Sequence, residues 1–525
     1  MMGRRYKAVA GSEAADLEAA LAAVDADQLR GLIRDLLPQL DGRIRGLLVN
    51  NLVERAARAG SGWAPAGPGA AEVAAVAAFA AAAERRGYAD PEEVDFHLRQ
   101  GGAAFLNRRY GDARTIFQAL LPPLNEGEID LGQHELIGEV LSTDETDCTV
   151  QYLVAVYMTT EPEERARALM EAYSEVSGIG FVGEPLREME RVAVEPLPGL
   201  AEFLPRWRDV LEQYTAIGGL DWSPDLARWL REAVQRLEGV DGLARIARAT
   251  GKADDLRAWC RSLLEAREWR AALRAFEEAA SLVREEHRRG EFLDGAALAA
   301  QELGLDDQSA RLEDGWRKAP SLIRLCRWLG SLPGPAEVRA AAAQALKACP
   351  RADARQASFL RVLAGDIRGA ARLLAQAPGL GWSYPEHPGH LLFWAFERIL
   401  AGDAAKDMRG WEGFHGDPGW WPGDAGEPQL ATPSALEVLR LAGVAETADA
   451  ETRALVLGAM RQAAEQRVAG VTGAKRRRTY GHAAELTAAC AALDRSPAGA
   501  RWLADLRARF SRYPALQSEL AERLQ

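Results

Sequence analysis

Lysine is scarce in this chain: only Lys7, Lys252, Lys318, Lys347, Lys406 and Lys475 stand among 64 basic residues. Such a bias is the codon signature of GC-rich bacterial DNA and implies nothing about chemistry. Cysteine is also sparse. Cys148, Cys260, Cys326, Cys349 and Cys490 lie at least 23 residues apart with no CxxC, which argues against a disulfide framework or a sequence-local zinc site and points to a reducing cytoplasm. Long apolar runs are missing too. The longest, residues 73–83 between Glu72 and Glu84, is mostly alanine and too short to span a bilayer, so no membrane partner is expected. The opening MMGRRYKAVAGSEAADLEAA has no apolar core of the kind a secretory signal needs. Runs of β-branched residues, which strands favour, are nearly absent.

What remains is alanine, leucine and charge. A hydrophobic fraction of 48% with 27% charged residues is that of a folded protein, and 525 residues exceed one ordinary core. The net charge of −12 argues against a protein whose whole surface grips nucleic acid, although a local basic patch is compatible with it. Helix punctuation recurs. Ser223, Pro224 and Gly239 sit at N-cap, N1 and C-terminal positions around an apolar stripe of Leu226, Trp229, Leu230, Ala233, Val234 and Leu237. Thr160 and Glu163 have capping-box spacing and predict a helix opening at residue 161, with Pro162 in its first turn.

Three stretches share a small residue, a large apolar residue four later, and another small or apolar residue three after that. The marks are Gly101, Ala104, Ala113, Phe117 and Leu120 before Pro122 and Pro123; Ala272, Phe276 and Ala279; and Ala370 and Leu374 before Pro378. This is the spacing of tetratricopeptide (TPR) helical hairpins, in which small residues let two helices approach. The expected fold is therefore all-α: a TPR-like α-solenoid of antiparallel helix pairs, with an irregular Trp-rich loop. A bundle of several helical domains would give similar local packing. The expected organisation is an N-terminal helical segment (1–58), a Gly/Pro-rich linker (59–70), helical hairpins (71–215), TPR-like repeats (216–407), the Trp-rich loop (408–432) and a C-terminal helical domain (433–525).

The segments APSLIRLCRWLGSL (319–332), GLGWSYPEHPGHLLFWAFERIL (379–400) and AKRRRTYGHAAELTAACAAL (474–493), with the RWLADLRARFSRYPALQSEL that follows, carry a family likeness. Over residues 240–525 the chain resembles the helical region downstream of the zinc finger in bacterial SWIM zinc-finger proteins. The finger itself needs a C-x-C pair and a later C-x-H, and the chain has neither. The resemblance thus implies a helical repeat region that binds protein partners, and no zinc chemistry.

Motifs with chemical potential are few. Gly178, Gly180 and Gly183 fit GxGxxG, but a helical pattern precedes them where a dinucleotide fold needs a strand, so a helix-to-helix turn is expected. His134-Glu135 lacks the second histidine of a zinc protease. His387 and His390 could join His415 and Cys349 on a metal, or serve as turn and capping histidines. No catalytic residue, metal or cofactor is expected. Lys475, Arg476, Arg477 and Arg478, with Tyr480 as a possible stacking ring, form the densest cationic run; it suits a solvated or internally paired patch, a protein partner, or a polyanion. Trp411, Phe414, Trp420 and Trp421 in the 408–432 loop either plug the helical array or form an aromatic hot spot for a partner. The leading functional expectation is a non-enzymatic scaffold or adaptor for a protein encoded in the same operon. The alternatives are a regulatory or defence-system component that binds nucleic acid or nucleotide through the basic run, and a helical enzyme whose site is assembled from distant residues.

Overall fold

The computed structural model describes residues 11–59, 62–132, 137–180, 182–218, 224–348, 354–384, 386–401, 428–444 and 449–524. Among the described residues there are 26 α-helices and no β-strand, the Tyr88–Asp130 bridge being isolated. The chain falls into two compact units, one ending at Gly242 and the other beginning at Leu243.

Three helix pairs share one turn. Pro91–Leu106 leads to Tyr110–Glu126, Ala253–Glu265 to Trp269–Leu282, and Ala354–Leu363 to Ile367–Gln376. Each turn has three residues, and the middle one is left-handed: Arg108 at φ 60°, Arg267 at φ 55° and Gly365 at φ 82°. In each, the residue after it donates its amide to a carbonyl five residues back: Arg109 to Ala104 at 2.9 Å, Glu268 to Leu263 at 3.0 Å and Asp366 to Arg361 at 2.8 Å. This is the closure of a Schellman motif. The small residue of the sequence pattern then falls five positions after the left-handed one, at Ala113, Ala272 and Ala370, and all three are fully buried. In the first pair Gly101 faces Phe117, whose ring would stand 2.8 Å from any Cβ added there. Phe276 presses likewise on Gly295 of the next helix, Arg289–Glu302, where an added Cβ would meet it at 2.2 Å.

In the first unit Tyr110–Glu126 packs on Ala70–Arg86, Pro91–Leu106 and Glu145–Thr159; Glu145–Thr159 packs in turn on Arg165–Val176 and Pro185–Val192, and Arg165–Val176 on Leu200–Gly218. Their core ends in a run of aromatics: Tyr157 meets Phe203 edge-on at 5.0 Å, Phe203 stacks on Trp207 at 5.7 Å, and Trp229 closes on Tyr173 at 4.1 Å. The Gly/Pro-rich stretch is irregular over 62–69 and is tied to the first hairpin turn, where Asn107 donates to Pro65 O and Arg109 to Pro68 O. Gly239 does interrupt the helical path, at φ 63° and ψ −147°, but helix resumes and runs to Thr250. Trp229, on the expected stripe, is buried and donates to Val182 O at 3.0 Å. Ser223 lies outside the described residues. Gly178 and Gly180 follow the helix Arg165–Val176, and Gly180 turns at φ 67°, as a helix-to-helix connection requires.

The helix expected to open at residue 161 begins instead at Arg165. Thr160 ends the preceding helix, Glu145–Thr159, in extended conformation, and its hydroxyl accepts from Arg114. The hydroxyl is drawn across to Arg114 on another helix, and the helix that follows starts without a side-chain cap. Residues 161–164 make a turn, closed by Glu164 N donating to Glu161 O at 3.0 Å.

In the second unit Trp316 stacks on Trp328 at 5.3 Å and donates to Gln356 Oε1 at 2.8 Å. Beside them Arg324 and Arg327, each 9% exposed, converge on Asp294, with N–O distances of 2.9 and 3.0 Å. Helix Leu322–Gly330 pairs with Ala435–Leu441 from far along the chain. Gly330 makes room for Pro433, whose Cγ would lie 2.2 Å from an added Cβ. Ile367–Gln376 packs on the long helix Ala450–Gly473, which also supports Tyr480–Leu493. No helix among the described residues is long and apolar enough to cross a membrane.

Candidate functional site

The basic run lies on the turn between Ala450–Gly473 and Tyr480–Leu493. Lys475 is left-handed at φ 54°, and Arg476 N donates to Val471 O at 2.9 Å, so the hairpin closure recurs here. A short 3-10 turn, Arg477–Thr479, then leads into the next helix. Lys475, Arg476, Arg477 and Arg478 are all exposed. Among the described residues none of the four has an ion-pair partner. The internally paired reading of the run therefore lacks its carboxylates. Tyr480 needs correction as a stacking ring. It is 4% exposed and packs among Val468, Val471, Ala483, Leu516 and Leu520. As the first residue of its helix it turns inward, and its ring has no free face to offer.

Beneath this turn lies a second cation that the sequence reading passed over. Arg467 sits two turns earlier on Ala450–Gly473 and is 3% exposed. One Nη donates to Gly379 O at 3.0 Å, while Nε has no partner among the described residues. Burial, and then the charge of Arg476, hold its pKa below the ordinary arginine value. A carboxylate would push the other way. Glycines bring the 379 segment this close: a Cβ on Gly379 would stand 1.9 Å from Gln466 O, and one on Gly470 would stand 3.2 Å from Leu380 N.

Three histidines surround Trp382 in the same region. Ring centroids lie 4.6 Å from His387, 5.4 Å from His390 and 4.9 Å from His482. His387 Nδ1 accepts the amide of Gly389 at 3.1 Å, which places its proton on Nε2. That Nε2 finds no hydrogen-bond acceptor within ordinary limits. Burial, then the neighbouring His390, pull the His387 pKa down to about 4; the Pro378 carbonyl opposes this shift without satisfying the ring nitrogen. Burial, then Arg467, bring His482 down to about 4, and burial lowers His390 as well. His390 Nε2 lies 3.1 Å from Tyr384 O.

His387 and His390 thus come together as the sequence suggested, but their third neighbour is His482. Cys349 and His415 lie outside the described residues, as do His134 and Glu135. Among the described residues no group of three or more metal-ligating side chains is placed to hold an ion. Trp411, Phe414, Trp420 and Trp421 also lie outside the described residues. The end of their segment is anchored: Gln301 brackets Gln429 O and Ala431 N at 3.0 Å each, and Arg327 Nε donates to Thr432 Oγ1 at 2.8 Å.

The described cysteines, Cys148, Cys260, Cys326 and Cys490, are free and buried. Burial pushes each thiol upward, Cys326 to about 12. What the C-terminal turn offers is positive charge: four exposed cations above a buried guanidinium with no offsetting carboxylate. Guanidinium and ammonium groups so placed attract carboxylate or phosphate groups. The chain matches no protein-family model, and no curated protein matches it.

Proposed function

We propose that this protein is a non-enzymatic adaptor built of TPR-like helical hairpins, and that it holds an acidic segment of a protein partner on the turn 475–478. The observation that carries this reading is that Lys475, Arg476, Arg477 and Arg478 are exposed and have no ion-pair partner among the described residues. The shared turn of three hairpins, each with its buried alanine, supports a repeat architecture, and repeat arrays commonly present surfaces to partners. The SWIM-type likeness over residues 240–525 points the same way. The burial of Tyr480 favours a protein ligand over single-stranded nucleic acid, since it removes the aromatic platform on which a base would stack.

The test is fluorescence anisotropy of the full chain with a labelled oligo-glutamate peptide, beside RNA and DNA oligonucleotides of equal charge. The expected result is saturable binding of the peptide, weakened tenfold or more when all four basic residues become alanine. Circular dichroism should be unchanged in that variant, because the four side chains are exposed. Oligonucleotide binding with a steep salt dependence and no peptide binding would favour the nucleic-acid reading instead. Peptide binding indifferent to the four substitutions would remove this turn as the docking site.

A further inference from the structure

A pocket of about 260 Å³ opens in the first unit between the helix Gly42–Arg58 and the helices Pro91–Leu106 and Glu145–Thr159. An apolar cavity of roughly 150 Å³ is enough to hold benzene in a protein interior, so this one has room for a small molecule. The helix that roofs it is docked largely by polar contacts: Arg43 Nε donates to Leu141 O at 3.1 Å, and Asn50 donates to Ser142 O at 3.0 Å. Gly46 lets it approach, since a Cβ there would meet Ser142 Cβ at 2.5 Å.

The pocket holds one buried polar atom without a partner. Gln151 is 2% exposed, and its Nε2 donates to Glu54 Oε1 at 3.0 Å. A carboxylate accepts only from the amide nitrogen, so the other atom of the amide, Oε1, is the one turned toward the pocket. There it faces Gly102 on the pocket wall, where an added Cβ would stand 3.4 Å from it. Oε1 has no hydrogen-bond partner among the described residues. A buried acceptor left so keeps its full desolvation penalty and calls for a donor.

The carboxylates of the lining favour a cationic donor. Glu54, Asp144 and Asp147 face the pocket against one cation, Arg99. Arg58 pairs with Glu54 at 3.2 Å, and Arg191, which does not line the pocket, pairs with Asp147 at 2.5 Å. Leu98 and Leu106 are buried and give the lining apolar surface. We infer that this pocket binds a small organic ammonium ion on a short apolar stem, its N–H groups donating to Gln151 Oε1 and the Glu54 carboxylate and its stem lying against Leu98 and Leu106. All of these residues belong to the first unit, so the inference is independent of the docking turn in the second.

Calorimetric titration of the full chain with hexylammonium chloride tests it, with hexanol and hexanoate as probes of the same stem. Expected is saturable binding of one hexylammonium per chain, at least tenfold tighter than hexanol, with none for hexanoate. Gly102→Leu fills the space without altering charge and should abolish binding. Glu54→Gln should weaken it tenfold or more. Asp144→Asn keeps a helix-capping side chain at an exposed rim position, so it preserves the fold and should weaken binding several-fold. Hexanol binding as tightly as hexylammonium, binding unaffected by Gly102→Leu in a folded chain, or no saturable binding to the wild type would each overturn the inference.

Discussion

Asp294 carries two buried guanidinium groups, those of Arg324 and Arg327. Removing one partner of a buried pair leaves an uncompensated charge, which costs about 3–5 kcal/mol. Asp294→Ala should therefore destabilise the second unit by about that amount, read from urea unfolding, whereas losing one member of the exposed pair Arg167–Glu171 should cost less than about 1 kcal/mol. At this scale the sequence was only partly readable. Arg467 left a trace, because it stands on the stripe of Ala463, Ala464, Val468 and Val471, all buried, where a charged residue breaks the pattern. Tyr480 left none. It follows four cations and a threonine, and only the position of the helix start turns its ring inward.

Helix pairs were more legible than their joints. The alanines at 113, 272 and 370 and the rings at 117 and 276 could be found by spacing, since close approach of two helices demands a small residue opposite a large one. The turns could not. Glycine marks only the third, at Gly365, while arginine occupies the same left-handed position in the first two. A non-glycine residue there costs roughly 1 kcal/mol against glycine, part of which the greater freedom of an unfolded glycine offsets. Arg108→Gly and Arg267→Gly should each raise stability by up to about 1 kcal/mol, while Gly365→Ala should lower it by a similar amount; thermal melts of the three variants check this. The Thr160 capping box misled for a related reason. Its spacing was right, but a tertiary partner, Arg114, holds the hydroxyl.

Across the whole chain, acid should be the sensitive axis. His387 and His482 have pKa values pulled down to about 4 by burial, and His390 is lowered as well. Each stays neutral in the folded state while its unfolded counterpart takes up a proton near pH 6.5. The unfolded chain then binds more protons, so stability is whole above pH 6.5 and falls as pH drops toward 4. A value of about 4 against 6.5 in the unfolded chain corresponds to at most roughly 3 kcal/mol for each of His387 and His482. Unfolding midpoints measured from pH 7 to pH 4 should decline, and His482→Phe, which keeps a ring against Trp382, should flatten the decline. The all-helical class was plain from composition. The cluster around Trp382 was not, because His482 lies over ninety residues from its neighbours.

The pairing of Leu322–Gly330 with Ala435–Leu441 also bears on the order of assembly. Most helices of the second unit pack on neighbours in sequence, but Arg327 and Thr432 join across 105 residues. Closing so long a loop costs about 1.5 kcal/mol more than closing a hairpin of roughly 20 residues. On that cost the hairpins are expected to form first and separately, and this contact to follow once the helices between have shortened the path. A backbone cut between the two partners would leave each hairpin its local contacts and make this joint a meeting of two chains.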